Sequence, residues 1–230
     1  MGTSKGYIPP KSKAWRNAKS AVSRMINGSD NVEGIKNAVS EYAKAYSSTH
    51  LPLSKMGVLV GDILGFFSDV KINGLDNALA GEGLNNLIGK SNEEIYFGLI
   101  EYFCTDNATI EDSVLRECVV DVLSDNEIVD LDNLEELNGN KFIEDFIIKY
   151  IQVNFEVSFA EKVQGLCDSV DESKSKIKDV KRYIDDNIRN LYKHEEIVNI
   201  NWRGEAGKQF IDKKCQECYE LLILFEEEWT

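Results

Sequence analysis

The residue with the clearest capacity for chemistry in this sequence is a glycine that directly follows the initiator methionine. The chain opens "MGTSKGYIPPKSKAW", a basic stretch of small residues that Pro9 and Pro10 interrupt. Removal of the methionine would expose the amine of Gly2. An α-amino group has a pKa of about 7.7–8.0, so a useful fraction is neutral and nucleophilic near neutral pH. The two prolines favour an extended tail that stays outside a helical body.

Two other interpretations of this leader have to be weighed. N-myristoylation also uses a glycine at position 2, but its pattern wants Ser or Thr at position 6, where this sequence has Gly6. Terminal segments more often carry no specific role. On the residues alone, a terminus without a role is favoured over a reactive Gly2.

Two further motifs resemble chemical sites but lack the spacing that those sites need. In "CQEC", Cys215 and Cys218 have no second cysteine pair at zinc-ligand spacing, so core or half-exposed thiols are favoured over metal or redox chemistry. In "GLNNLIGKS", Gly83 stands one residue too early for a phosphate-binding P-loop. Nucleotide binding is therefore disfavoured.

Clustered carboxylates are equally unspecific. The run "DLDNLEE" at residues 130–136 places Leu134 and Glu135 where a calcium loop needs a ligand and a glycine. There is no G-x-S-x-G nucleophile motif, and the two histidines lie in separate segments. The residues predict a protein that is not an enzyme and has no cofactor and no metal. A small hydrolase or metal enzyme is a further hypothesis, and it would require bound metal in the purified protein.

The charge of the chain is strongly acidic and unevenly distributed. The net charge is −14, yet residues 1–55 hold nine Lys/Arg against three Asp/Glu, whereas residues 91–145 hold two against sixteen. Nucleic-acid binding is disfavoured because it needs a positive face. Contact with a charged protein is an alternative to a merely solvated surface. Five scattered cysteines, no signal peptide and no membrane-length apolar run favour a cytoplasmic protein.

Apolar periodicity predicts an all-α fold, an irregular multi-helix bundle with an extended, flexible N-terminal tail. The expected division is a tail at 1–13 and helical regions at 14–125 and 126–230, with one continuous domain as the alternative. The first helix should end at Gly28. Capping boxes at Ser91/Glu94 and Thr109/Asp112 should start an antiparallel helical hairpin. The acidic stretch from Asp121 to Glu136 is expected to be a loop.

Three glycines recur at i, i+4 and i+8 in "GVLVGDILGFF": Gly57, Gly61 and Gly65. On a helix they would form a groove that another backbone can approach closely. Each costs about 1 kcal/mol relative to alanine, so a packing reason is expected. Packing within the chain is favoured over a groove for a partner.

One segment gives conflicting signals. "IQVNFEVSF" alternates apolar and polar residues from Ile151 to Phe159, which is typical of a strand. A single strand needs a partner, and the only nearby candidate, "EIVNINW", is weak. We predict that the segment ends a long helix that begins at Lys141.

The N-terminal half of the sequence resembles a known family. The leader "MGTS", the proline-containing spacer, "AWRNAKSAVSRM" and "GIKNAVSEYAKAY" are similar to QatB, a component of the four-gene Qat anti-phage system of bacteria. The similarity continues more loosely through "GVLVGDILGFFSDVKINGLDNAL", "GLNNLIGKSNEEI" and "SVLRECVVDVL".

This resemblance implies a helical, non-enzymatic defence protein that works with an ATPase, a QueC-like enzyme and a TatD-like nuclease. QueC-type enzymes use ATP to activate a carboxylated deazapurine and join it to an amine. The hypothesis that follows is that Gly2 enters the active site of the QueC-like partner and is conjugated to a deazaguanine. Its neighbours Thr3, Ser4, Lys5 and Gly6 would fit a narrow tunnel in that partner.

An alternative hypothesis needs no chemistry at the N-terminus. The acidic middle of the chain would bind a basic partner as an adaptor, or would regulate the ATPase or the nuclease by charge mimicry. In that case the leader would be dispensable and the acids between Asp121 and Glu136 would be essential.

Overall fold

The computed structural model describes residues 11–28, 31–50, 54–105, 109–125, 138–194 and 200–224. Within these ranges the chain forms nine α-helices, one short 3-10 helix at Asn85–Leu87, and no strand. The helices are α1 (Lys13–Asn27), α2 (Asn31–His50), α3 (Ser54–Asn73), α4 (Leu75–Gly81), α5 (Asn92–Phe103), α6 (Ile110–Asp125), α7 (Gly139–Leu166), α8 (Val170–Leu191) and α9 (Glu205–Leu224). The all-α prediction is confirmed; the predicted tail lies almost entirely outside the described residues.

The chain folds into two compact units that each draw on separate stretches of sequence. Unit 1 combines Met1–Pro52, Tyr150–Lys193 and Cys215–Thr230, and unit 2 combines Leu53–Lys149 and His194–Lys214. The division at residue 126 stays a prediction, because residues 126–137 lie outside the described residues.

Helix α1 ends where its sequence predicts, and a side-chain cap fixes its start. The Ser12 hydroxyl accepts a hydrogen bond from the Trp15 backbone N–H, which supplies the side-chain cap that a helix N-terminus needs. The helix ends before Gly28. Its buried stripe contains Trp15, Ala18, Ala21, Val22 and Met25. Ala14 is only partly buried, whereas its larger neighbour Trp15 is fully buried.

An aromatic cluster forms the centre of unit 1. Its rings come from α1, α2, α7 and α9, and each residue is at most 4% exposed: Trp15, Tyr42, Tyr46, Tyr150, Phe155, Phe159 and Tyr219. Tyr46 stacks on Tyr219 at 5.1 Å between ring centroids, and Trp15 meets Tyr42 edge-on at 6.2 Å. The hydroxyls of Tyr46 and Tyr150 share a hydrogen bond of 2.9 Å. Such ring pairs contribute about 0.5–1.5 kcal/mol beyond their burial.

The alternating segment is helical, as predicted, and α7 extends beyond it at both ends. Ile151, Phe155 and Phe159 lie four residues apart on one helix face and are buried, and Val153 is buried on another side. The polar Gln152 and Asn154 bond to backbone carbonyl oxygens, of Lys181 and Tyr150 respectively. The apparent strand pattern arises because this helix is buried on more than one side.

In unit 2, the glycines of α3 face a turn of the same chain, which confirms the prediction of internal packing. A Cβ added to Gly61 would lie 2.5 Å from the carbonyl oxygen of Trp202, and one added to Gly65 would lie 2.6 Å from Nε of Arg203. At Gly57 the nearest atom is a carboxylate oxygen of Asp212, at 3.1 Å. The stripe therefore receives the turn before α9 and the first turns of α9 itself.

Both predicted capping boxes are present, and the helices they start are antiparallel. Ser91 and Glu94 exchange backbone and side-chain hydrogen bonds, and Thr109 and Asp112 do the same. Tyr96, near the start of α5, donates to the Val120 carbonyl oxygen near the end of α6. Near the end of α5, Glu101 pairs with Arg116 of α6.

The expected acidic loop is wrong over its first residues. Helix α6 continues through Asp121 to Asp125, and the remainder of the stretch lies outside the described residues. Charge does not prevent a helix here, because Val119, Val122 and Leu123 are buried on the opposite side and Asp121 pairs with Lys149 of α7. Within the described ranges, none of the helices combines the length and apolarity that crossing a membrane requires.

Alanine at Gly61 should lower the free energy of unfolding by about 1–3 kcal/mol, because its methyl group meets a backbone carbonyl that cannot rotate away. Gly81→Ala is the matched control in the same unit, since a Cβ there meets nothing within 4 Å. Urea unfolding followed by circular dichroism measures both. Equal stability of the two variants would contradict the packing of this turn against α3.

Truncation of Trp15 to alanine should lower the free energy of unfolding by about 3–5 kcal/mol, because a fully buried indole and its ring contacts are lost. Trp15→Phe keeps an aromatic ring but loses the hydrogen bond from Nε1 to the Thr49 hydroxyl, so it should fall between alanine and wild type. Urea titrations provide the values. A loss below about 1 kcal/mol for Trp15→Ala would show that the aromatic cluster does not hold α1.

Candidate functional site

The residues predicted to carry chemistry at the N-terminus, Gly2, Thr3, Ser4, Lys5 and Gly6, lie outside the described residues. The structure does describe the point where this leader joins the body. Lys11, Ser12 and Lys13 are all exposed. Two residues later Trp15 is fully buried, and its Nε1 donates to the Thr49 hydroxyl at 3.2 Å. The point where the leader meets α1 is therefore exposed to solvent, and the burial of Trp15 in the first turn of α1 fixes its position.

A cleft of about 300 Å³ lies in unit 2. We call it the α3 cleft; α3, α6 and the end of α5 form its walls. Its lining is mostly apolar with a few ionisable groups: Lys55, Val58, Leu59, Asp62, Phe103, Cys104, Thr105, Asp112 and Leu115. An apolar pocket with a small number of convergent polar groups is the usual form of a binding site.

Two residues of the α3 cleft, Lys55 and Asp112, form an ion pair. Nζ of Lys55 lies 2.7 Å from a carboxylate oxygen of Asp112. The same carboxylate accepts the backbone N–H of Thr109 at 2.9 Å, so it also caps α6. The hydrogen bond from Lys55, together with those from Thr109, lowers the pKa of Asp112 to about 2. Asp112 is therefore a fixed anion at neutral pH.

The other ionisable groups of the cleft are shifted towards their neutral forms. Burial raises the pKa of the Cys104 thiol to about 11, so it is not a thiolate nucleophile at neutral pH. Burial also raises the pKa of Asp62, against the opposing effect of Arg203 and Lys208. The cleft thus offers an apolar surface with the ion-paired carboxylate of Asp112 and the partly desolvated carboxylate of Asp62, and its geometry suits binding of an apolar group.

The remaining motifs do not assemble into a site within the described residues. Cys215 and Cys218 are buried, unbridged thiols in α9. Gly83 and Gly89 have positive φ, and the 3-10 turn lies between them. Nε2 of His194 lies 2.9 Å from a carboxylate oxygen of Glu144. No group of three or more potential metal ligands occurs in the part of the chain that the structure describes. Residues 130–136, considered for calcium, lie outside it.

Sequence reasoning identified one residue of the α3 cleft, Asp112, and only as part of a helix cap. The capping box at Thr109 and Asp112 was visible as a local pattern. Lys55 lies 57 residues earlier, and nothing in its local sequence indicates this partner. Asp62 is visible in the sequence as the single acid in the apolar run from Met56 to Phe67, but nothing local links it to Asp112.

Comparison with known proteins identifies a family. Residues 53–222 match the family model of QatB, described as "Qat anti-phage system associated protein QatB". That range contains the whole α3 cleft and ends within α9, and it leaves out the leader, α1 and α2. Neither the curated proteins nor the solved structures yielded a match.

Replacing Asp112 by asparagine should change how stability depends on pH. The folded-state pKa of Asp112 lies below its ordinary value of 3.8, so its contribution is complete above about pH 4 and is lost as the pH falls towards 2. Asp112→Asn should therefore lower stability at pH 7 and weaken the acid-induced loss between pH 4 and pH 2. Urea unfolding at several pH values measures this.

Asp125→Asn serves as the control, because Asp125 lies at the exposed end of the same helix. It should not lower stability at pH 7. An Asp112→Asn profile parallel to that of the wild type would contradict the role of the Lys55 pair.

Proposed function

The chain belongs to the QatB family and acts in the Qat anti-phage system, and from that premise we propose that its helical body docks a QueC-like enzyme and presents Gly2 to it. The amine of Gly2 is then conjugated to a deazaguanine-type base. The chain itself is proposed to supply no catalytic group. The ATPase and the TatD-like nuclease of the system are proposed as further partners, and the cytoplasm as the site of action.

The observation that carries this proposal is the exposed and anchored start of α1. Lys11, Ser12 and Lys13 face solvent, whereas Trp15 is held at the centre of unit 1. Nine peptide units separate Gly2 from Lys11, so covalent geometry allows the amine to reach about 30 Å beyond the body. That reach is sufficient for a glycine to enter an enzyme bound to the body.

The proposed conjugation requires only a free and unhindered amine from this chain. The Gly2 nitrogen attacks the activated carboxyl carbon of the base; an amide bond forms, the bond to the leaving group breaks, and the nitrogen loses a proton. Glycine has no side chain to obstruct this approach. Thr3, Ser4, Lys5 and Gly6 are small or flexible residues that suit passage through a narrow tunnel.

The competing function is that of an acidic adaptor or inhibitor, which uses the acids between Asp121 and Glu136. Asp121 is engaged with Lys149 within unit 2, whereas Asp125 is exposed. Most of that stretch lies outside the described residues. The two functions differ in one requirement, since only the first needs the leader.

Intact-mass spectrometry of the chain co-expressed with its operon tests the proposal. The wild-type protein should carry an added mass, which digestion and peptide mass spectrometry place on its N-terminal peptide, and Gly2→Pro should lose it, because a ring-bound secondary amine is hindered. Gly6→Ala is the matched control and should keep the adduct, since it changes a glycine of the same leader without touching the amine. A wild-type chain without an adduct would overturn the proposal.

Deletion of residues 2–10 separates the two functions in a phage-protection assay. This deletion keeps Ser12, whose hydroxyl caps α1, so the body should remain folded. Protection should be abolished if Gly2 is the acceptor. Full protection by the deletion variant, together with its loss on neutralising the acids between Asp121 and Glu136, would favour the acidic adaptor instead.

A further inference from the structure

A second concavity lies in unit 1, between α7 and α8, and has a volume of about 470 Å³. We call it the lysine groove. Its α8 wall carries Lys174, Lys178 and Lys181, and its α7 wall carries Glu156, Ala160 and Gln164. None of these residues lines the α3 cleft.

The lysines form a regular cationic row. They lie at i, i+4 and i+7, so they share one face of α8 and span about 10 Å along its axis. Lys181 is paired with Glu156 across the groove. Lys174 and Lys178 are exposed and make no hydrogen bond or ion pair within the described part of the chain. Like charges four residues apart destabilise a helix slightly, and an anionic ligand would relieve this.

The floor of the lysine groove is apolar. Ala160 on its α7 side and the largely buried Ile177 on its α8 side line it, and Val170 on α8 is 53% exposed. Leu166, at the end of α7, is 37% exposed. From Val170 to Lys181 the α8 wall runs for about 16 Å, which is the length of three helical turns.

We propose that the lysine groove binds an acidic amphipathic helix of a partner protein. Three lysines against one glutamate make the lining cationic on a chain whose net charge is −14. Apolar side chains of the partner helix would cover Val170, while its carboxylates would pair with Lys174 and Lys178. The combination of apolar floor and cationic rim favours a protein helix over a nucleic acid, whose phosphates would use the rim alone.

Fluorescence anisotropy with the full-length chain tests this site. The probe is a labelled 16-residue peptide with leucine at i, i+3, i+4 and i+7 spacing and glutamate elsewhere; a twin peptide carries lysine in place of glutamate. The glutamate peptide should bind, and Lys174→Glu/Lys178→Glu should weaken it at least tenfold. Val170→Ser should weaken it a few-fold, since the floor would lose apolar surface.

The matched control is Lys13→Glu/Lys19→Glu, which makes the same charge change on α1 of the same unit and should alter affinity less than twofold. Lys174→Gln/Lys178→Gln repeats the test without charge reversal, and equal circular dichroism spectra verify folding. Equal binding of both peptides, or no effect of the groove variants, would overturn the proposal. So would tighter, groove-dependent binding of single-stranded DNA or of anionic lipid vesicles.

Discussion

The aromatic cluster of unit 1 is the packing constraint on which the proposed presentation of Gly2 depends. Seven rings from four helices meet there, and the indole of Trp15 is the contribution of α1. Because Trp15 lies three residues after the helix cap at Ser12, its burial fixes the position of the cap as well. The leader thus begins from a defined point on the body, while Lys11 to Lys13 remain in solvent.

Unit 2 depends on glycines, whose lack of a side chain allows two segments of backbone to pack closely. Gly61 and Gly207 both have the Trp202 carbonyl oxygen as the nearest atom to an added Cβ, so the turn before α9 fits between two glycines. Arg203 in the same turn crosses Gly65 and pairs with Asp69 and Glu82. The cost of three glycines in α3 is offset by this close approach and by the ion pairs that it permits.

Local patterns predicted much of this architecture and little of its long-range pairing. The caps at Ser91 and Thr109 and the end of α1 at Gly28 follow from residues within one helical turn. The glycine stripe predicted a close approach but not which segment approaches, because Trp202 lies far along the chain. The prediction of a loop at Asp121 was wrong because it was based on the acidic side chains of this stretch. The apolar Val119 and Val122, which are buried in the structure, extend the helix through it. The spacing of Lys174, Lys178 and Lys181 is visible in sequence, whereas the opposite wall on α7 required the fold.

The central claim is that the leader is inserted into an enzyme while the body stays outside. A photo-crosslinking amino acid at Thr3, incorporated during co-expression with the QueC-like protein, tests it most directly. The account predicts a crosslink to that protein at residues lining its active site, and none from the same label at exposed Lys90 to those residues. Crosslinks from position 3 only to this chain's own helices would contradict the account.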